Sequence, residues 1–157
     1  MKREPARQSP PAGKKKLPRR LIQDLASFRY QLRKFLRFSE RAAKSQGLTP
    51  QQHQLLLGIA GYNGTKRATI SDLAEFLQER HNSVVELVGR AVGKGLVRKD
   101  HDSKDRRFVY VSLTSRGEFT LAKLAELHRG EIERLRAGLF AGGRIKNQAK
   151  VGVHEIV

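Results

Sequence analysis

Residues 69–114 read TISDLAEFLQERHNSVVELVGRAVGKGLVRKDHDSKDRRFVYVSLT, and the order of signals inside them decides the fold. Thr69 stands as an N-cap ahead of Leu73, Ala74, Phe76 and Leu77, a short amphipathic helix. Residues 78–82 read as a turn. A further helix runs from about residue 82 to 94, with Val84, Leu87, Val88 and Ala91 inward at steps of three and four, and Gly95 falls at its C′ position. Residues 96–99 and 108–113 read as short strands, the second alternating Phe108, Tyr110 and Ser112 against Val109, Val111 and Leu113. His101, Asp102, Ser103, Lys104, Asp105, Arg106 and Arg107 form a polar hairpin loop between them. Two short helices around a tight turn, followed by a hairpin with a basic tip, make a winged helix-turn-helix. The expected class is mainly α with a small β part (α+β). An α-helix fits a major groove and a two-stranded ribbon tipped with arginine reaches the next minor groove, so the expected module binds DNA.

Longer helices flank this module. Leu21, Leu25, Phe28, Leu32, Phe35, Ser39 and Ala42 step by four and three along one helix face, with Arg29, Arg33, Lys34, Arg37 and Arg41 on the others, until Gly47 ends the run. Thr49-Pro50-Gln51-Gln52 supplies an N-cap, a proline at the first helical position and a glutamine at N3, and the helix it starts stops in Gly61-Tyr62-Asn63-Gly64. Thr114 caps a last long helix through Leu121, Leu124, Leu127, His128, Ile132 and Leu135. A heptad-like face with few neighbours to cover it calls for a partner helix, most simply from a second copy, so long flanking dimerisation helices and a homodimer are expected. The expected organisation is a disordered basic arm at 1–20, a winged body with its dimerisation helices at 21–137, and an irregular tail at 138–157.

Composition bounds the chemistry. The 157 residues carry 32 Lys and Arg against 15 Asp and Glu, a net charge of +17, and no cysteine. Such a chain is drawn to polyanions, and nucleic acid is the commonest in a cytoplasm. Disulfides, cysteine-ligated zinc and thiol catalysis are excluded. Neither a membrane span nor a signal-like segment is present, so a cytoplasmic location is expected. His53, His81, His101, His128 and His154 form no metal-binding spacing, and no nucleophile–base pair or carboxylate dyad is set as an active site requires, so no metal, cofactor or enzymatic activity is expected. His53 is expected to be a partly buried helix residue, with a ligand-pocket wall as its other reading. A second function class stays open: a sequence-indifferent architectural protein that coats nucleic acid. The ratio of operator to random-DNA affinity separates the two.

Four segments carry a resemblance. Leu48-Thr49-Pro50-Gln51-Gln52, Ile70-Ser71-Asp72-Leu73-Ala74, Lys94-Gly95-Leu96-Val97-Arg98, and Asp102-Ser103-Lys104-Asp105-Arg106-Arg107 followed by Val111-Ser112-Leu113-Thr114 resemble the MarR family of bacterial transcription regulators, in order, over residues 21–137. The resemblance implies a homodimeric repressor on a pseudo-palindromic operator in double-stranded DNA, released by a small aromatic or phenolic acid. It implies that Arg107 enters the minor groove, Asp105 orients it, and Lys104 and Arg106 face phosphates. His81, Asn82, Ser83 and Glu86 match groove-facing positions of the recognition helix. A basic residue is frequent where Glu86 stands. Either Glu86 accepts from a cytosine, or Arg80 and Arg90 take over the anchoring and Glu86 pairs with one of them; the pairing is the favoured reading. The family's further C-terminal helix is expected to be short or absent, since mostly Gly, Arg, Lys and Asn follow Gly138.

Overall fold

The computed structural model describes residues 17–63, 67–101 and 108–140. Its elements are α1 (Arg19–Ser45), α2 (Pro50–Ala60), α3 (Ile70–Leu77), α4 (His81–Gly93), β1 (Val97–His101), β2 (Val109–Leu113) and α5 (Ser115–Phe140). The mainly helical winged helix-turn-helix expected from residues 69–114 is the architecture observed.

Local chemistry sets most boundaries. Both N-caps complete a capping box: Thr49 Oγ1 accepts from the Gln52 amide at 3.1 Å while Gln52 Oε1 accepts from the Thr49 amide at 3.1 Å. At α3 the Thr69 amide and hydroxyl donate to Asp72 at 2.8 and 2.6 Å, and the Asp72 amide returns a bond at 3.2 Å. The Thr69 hydroxyl, chiefly, holds the Asp72 carboxyl below the usual carboxylate range, against the opposing pull of partial burial. Gly47 and Gly95 take φ of 70° and 66°, and each closes a Schellman motif, Leu48 N donating to Ala43 O and Leu96 N to Ala91 O, both at 3.0 Å.

Several boundaries differ from expectation. Arg19 and Arg20, assigned to the arm, are helical, because Pro18 is tolerated just before a helix and only there ends the irregular stretch. Residues 1–16 of that arm lie outside the described residues. Residues 138–140, assigned to the tail, continue α5, and Gly138 lies where α1 comes close, since a Cβ there would meet Gln31 Cδ at 3.0 Å. The remainder of the tail is outside the described residues. Strand β1 starts one residue late and runs to His101, because Leu96 is consumed in closing α4.

The two strands pair antiparallel from Val97↔Leu113 to His101↔Val109. Simple alternation fails on β2, where Tyr110 and Val111 are both buried. Its far edge bridges Thr69, Val111 N donates to Ala68 O at 2.8 Å, and Arg67 lies over the Tyr110 ring, 5.2 Å from its centroid. The core draws Leu55 and Leu56, Leu73, Val84 and Val88, Val97, Val111 and Leu124 from α2, α3, α4, the hairpin and α5, each worth about 1.5–3 kcal/mol when fully buried.

Helices α1 and α5 run antiparallel, with Gln31 beside Gly138 and the rings of Phe35 and Phe38 against His128. The single apolar face expected on α1 divides here. Ala42 is buried and Phe35 half-buried inside the chain, whereas Leu21, Leu25, Phe28 and Leu32 remain 63, 53, 47 and 38% exposed. The division follows the packing of α1 on α5: Gln31 meets Gly138 and Phe35 meets His128, while Leu21, Leu25 and Phe28 precede the stretch of α1 that meets the described part of α5.

Candidate nucleic-acid interface

Helix α4 is seated by its inward face, Val84, Leu87, Val88 and Ala91, all buried. The opposite face is open. Arg80, His81, Asn82, Ser83, Glu86 and Arg90 are all exposed on it or at its start. Arg80 is the N-cap residue and provides no side-chain cap, so amides of the first turn keep their hydrogen-bonding capacity for something outside the helix. Of the two readings of Glu86, the ion pair is the one present: Arg90 Nη1 lies 3.7 Å from Glu86 Oε2, one turn on and exposed to solvent. Gly89 and Gly93 lie on the open side with no atom within 4 Å of an added Cβ. Their lack of side chains lets another surface approach the backbone, a role the helical pattern gave no reason to assign.

The turn before α4 is tight because Gln78 adopts a left-handed φ of 54°, unusual without glycine, with its own Nε2 donating to Glu75 O at 2.7 Å. The other end of α4 is tied down by Lys94, whose Nζ donates to Gly47 O at 2.9 Å and Gln52 Oε1 at 3.1 Å. Lys104, Asp105, Arg106 and Arg107 lie outside the described residues. What the structure does fix is the base of their hairpin, where Asp100 takes an ion pair from Arg67 and another from Arg98 at 3.6 Å.

Two further sites flank the helix-turn-helix. A groove of about 890 Å³ between α2, the hairpin and α5 is lined by Tyr62, Arg67, Arg98, Ser112 and Glu118 among apolar neighbours; the Ser112 Oγ is buried with no hydrogen-bond partner. Where α1, α2 and α5 meet, His53 is 3% exposed and its ring centroid is 5.0 Å from that of His128. His53 is therefore buried, not partly buried, and lies outside the groove wall. His128 Nδ1 bonds Leu124 O at 2.7 Å and its Nε2 is buried without a partner. Burial first, and the neighbouring His128 second, push the His53 pKa down to about 4. Among the described residues no group of three or more His, Cys, Asp or Glu is arranged to hold a metal ion, and no helix is long and apolar enough to cross a membrane.

Comparison with known proteins converges on this module. The model of the MarR family matches residues 46–107. The HTH-type transcriptional repressor MdtR of Bacillus subtilis is 31% identical over 75 residues, 48% of this chain and 46% of the repressor, so the chain spans about half that relative's length. The transcriptional regulator HosA of Escherichia coli is 31% identical over 97 residues, 59% of this chain and 68% of HosA. The chain belongs to the MarR family. Its fold agrees with that assignment: the transcriptional regulator MOSR of M. tuberculosis, solved in complex with DNA, superimposes with a TM-score of 0.55 at 26% identity, over 72% of this chain and 80% of that one. MarR-family membership explains why the residues singled out on α4 share one open face, since the helix-turn-helix is the part the family model covers.

Proposed function

We propose that this MarR-family chain is a homodimeric, sequence-specific regulator of transcription, in character a repressor, that binds a pseudo-palindromic operator in duplex DNA. The observation that carries the reading is the open face of α4, with Arg80, His81, Asn82 and Ser83 at an end that no side chain caps. In this reading the start of α4 enters the major groove, Arg107 enters the adjacent minor groove with Asp105 orienting it, and Lys104, Arg106 and Arg90 contact phosphates. The DNA-bound MOSR structure, of the same fold, supports it. Binding-site selection from a random duplex pool tests the claim. A regulator yields an enriched palindromic site bound at least about 10³-fold tighter than random duplex at fixed salt, whereas a sequence-indifferent coating protein yields none. On the selected site, Arg107→Ala is expected to lower affinity by about 1–3 kcal/mol with the fold unchanged. Equal affinity of variant and wild type would remove the wing from the mechanism.

Dimerisation rests on the exposed ridge Leu21, Leu25, Phe28 and Leu32. Leu25→Asp with Phe28→Asp is expected to leave a folded monomer, because each buried side chain of this size contributes about 1.5–3 kcal/mol and a two-fold axis uses it twice. Phe35 is unsuitable for this test, since it packs against His128 within the chain. A wild type that sediments as a monomer at micromolar concentration, or a double variant that stays dimeric, would contradict this assignment. The effector part of the reading rests on the groove at Tyr62, Arg67, Arg98 and Ser112, where a buried unpaired hydroxyl and two guanidinium groups share the lining with Glu118. Both guanidinium groups pair with Asp100, so an aromatic carboxylate would bind by competing with Asp100 for Arg98. Release of the selected duplex by salicylate or benzoate, absent in Arg98→Met, is the corresponding measurement. A cytoplasmic, non-enzymatic role accords with this function.

A further inference from the structure

Helix α1 carries a feature that neither the recognition helix nor the dimer ridge uses. Arg29, Arg33, Arg37 and Arg41 recur every fourth residue and are all exposed. Each step rises about 6 Å and turns about 40°, so the row climbs about 18 Å while winding about 120° round the helix. Between residues 25 and 45 the helix has six basic residues against one acidic residue, Glu40. Like charges at i, i+4 repel, and here three such pairs stand in succession. Among the described residues no carboxylate pairs with any of the four. Beside the row, a groove of about 550 Å³ between α1 and α5 adds Lys34 and Arg134 next to Arg37 and Arg41, with Glu131 bound to Arg134 at 2.7 Å.

Position separates this row from the interface at α4. Gln31 packs beside Gly138, whereas Thr114, just before α5, bonds Leu96 and Gly95 at the wing's base. The α5 helix between those points spans about 35 Å, so the Arg29 end of the row stands that far from the wing base. Around α1 the row diverges from the ridge of Leu21, Leu25, Phe28 and Leu32, from about 70° at Arg29 to about 170° at Arg41, so a partner copy on the ridge borders Arg29 and leaves Arg33, Arg37 and Arg41 open. All four positions are arginine, whose planar fork suits bidentate bonds to phosphate better than a lysine point charge does.

We propose that the basic face of α1, Arg29, Arg33, Arg37 and Arg41 with Lys34 and Arg134, is a second docking surface for the phosphodiester backbone of duplex nucleic acid, distinct from the segment read by α4. It binds without regard to sequence, because phosphate contacts position a protein and read no bases. A protein so equipped holds a second stretch of duplex while the recognition helices occupy the first.

The test uses the full-length chain and a labelled 30-base-pair random-sequence duplex. Three proteins are compared: wild type, the row variant Arg29→Gln/Arg33→Gln/Arg37→Gln/Arg41→Gln, and the wing variant Arg106→Ala/Arg107→Ala. Four lost phosphate contacts flatten the slope of log K against log salt by up to about 3.6. The row variant is expected to show most of that flattening and at least a tenfold loss of a second duplex captured onto an immobilised first. The wing variant is expected to keep the row-dependent part. An unchanged slope and capture in the row variant overturn this proposal, and leave the regulator reading standing if the wing variant still loses operator binding. Loss in the row variant alone supports the proposal and counts against the wing as a DNA reader. Should the row variant bind duplex normally but lose anionic phosphatidylserine vesicles, the partner is a membrane surface and the proposal fails. If circular dichroism shows the fourfold variant unfolded, the Arg29→Gln/Arg33→Gln and Arg37→Gln/Arg41→Gln pairs give the same readout at about half the slope change.

Discussion

Gly117→Ala is expected to cost at least about 3 kcal/mol of stability, although it adds one methyl group in the first turn of a helix. A Cβ at this position would lie 2.0 Å from the Leu96 carbonyl oxygen and 3.1 Å from its carbon, both main-chain atoms that cannot rotate away. The same carbonyl accepts from Thr114 N at 3.0 Å, while Thr114 Oγ1 donates to Gly95 O at 2.6 Å and accepts from Gly117 N at 3.1 Å. Relief of the clash would therefore pull α5 off the junction of α4 and β1. Gly130→Ala is the matched control: it lies in the same helix, meets nothing within 4 Å, and should stabilise by about 1 kcal/mol through helix propensity. At roughly 2–4 °C per kcal/mol, thermal unfolding at equal protein concentration should separate the two variants by about 10 °C. A Gly117→Ala protein melting within a degree or two of wild type would refute the close packing of Leu96 on α5.

The second large effect is a loss of stability in mild acid, traced to His53. Its folded pKa is about 4, and an unfolded histidine titrates near 6.5. Because the folded value is depressed, the neutral ring is the form the fold favours. The contribution is complete above about pH 6.5 and disappears as the pH falls toward 4, since the unfolded chain binds the proton first. The loss attributable to this residue is about 2 kcal/mol by pH 5. His53→Leu removes the His53 titration while keeping an apolar side chain against His128. Denaturant unfolding at pH 7 and pH 5 should show wild type losing about 2 kcal/mol more than the variant over that interval. Carboxylates titrate in both proteins and cancel in the comparison. Parallel pH profiles would place the proton elsewhere.

The parts of this fold that were legible in sequence are those decided within a few residues. Thr49 with Gln52, Thr69 as an N-cap, and Gly47 and Gly95 as closures each make their hydrogen bonds to near neighbours, so type and spacing sufficed, although the return bonds of Asp72 to Thr69 were not foreseen. The open face of α4 was readable for the same reason, as the complement of Val84, Leu87, Val88 and Ala91. Long-range pairings were not. Periodicity on α1 gave one stripe, but which half meets α5 depends on the pairing of two helices far apart in the chain, Gln31 with Gly138 and Phe35 with His128. The approach of His53 to His128 joins residues far apart in the chain, neither marked by a motif. Gln78 in a left-handed turn carried no signal, because glycine or asparagine is the residue such a turn usually announces itself with. Glu86 pairs with Arg90, and spacing alone favoured it, since i, i+4 residues are helical neighbours whereas Arg80 stands six residues back at the N-cap.

Lys94 gives the molecule a fulcrum. Its ammonium is shared between the carbonyl that ends α1 and the amide side chain that starts α2, so the rear of α4 is pinned where two other helices change direction. From there α4 extends 13 residues to His81, a lever arm of about 20 Å. A swing of about 10° at the pinned end moves the free tip by roughly 3.5 Å, close to the 3.4 Å rise of one nucleotide along a duplex strand. Val84, Leu87 and Val88 are buried along that arm, so such a swing must repack the core it rests on, and only then would two such levers in a symmetric pair fall out of step with half-sites one turn apart. In a molecule built this way, register along a groove is set by an angle at the hinge end and not by any change at the tip.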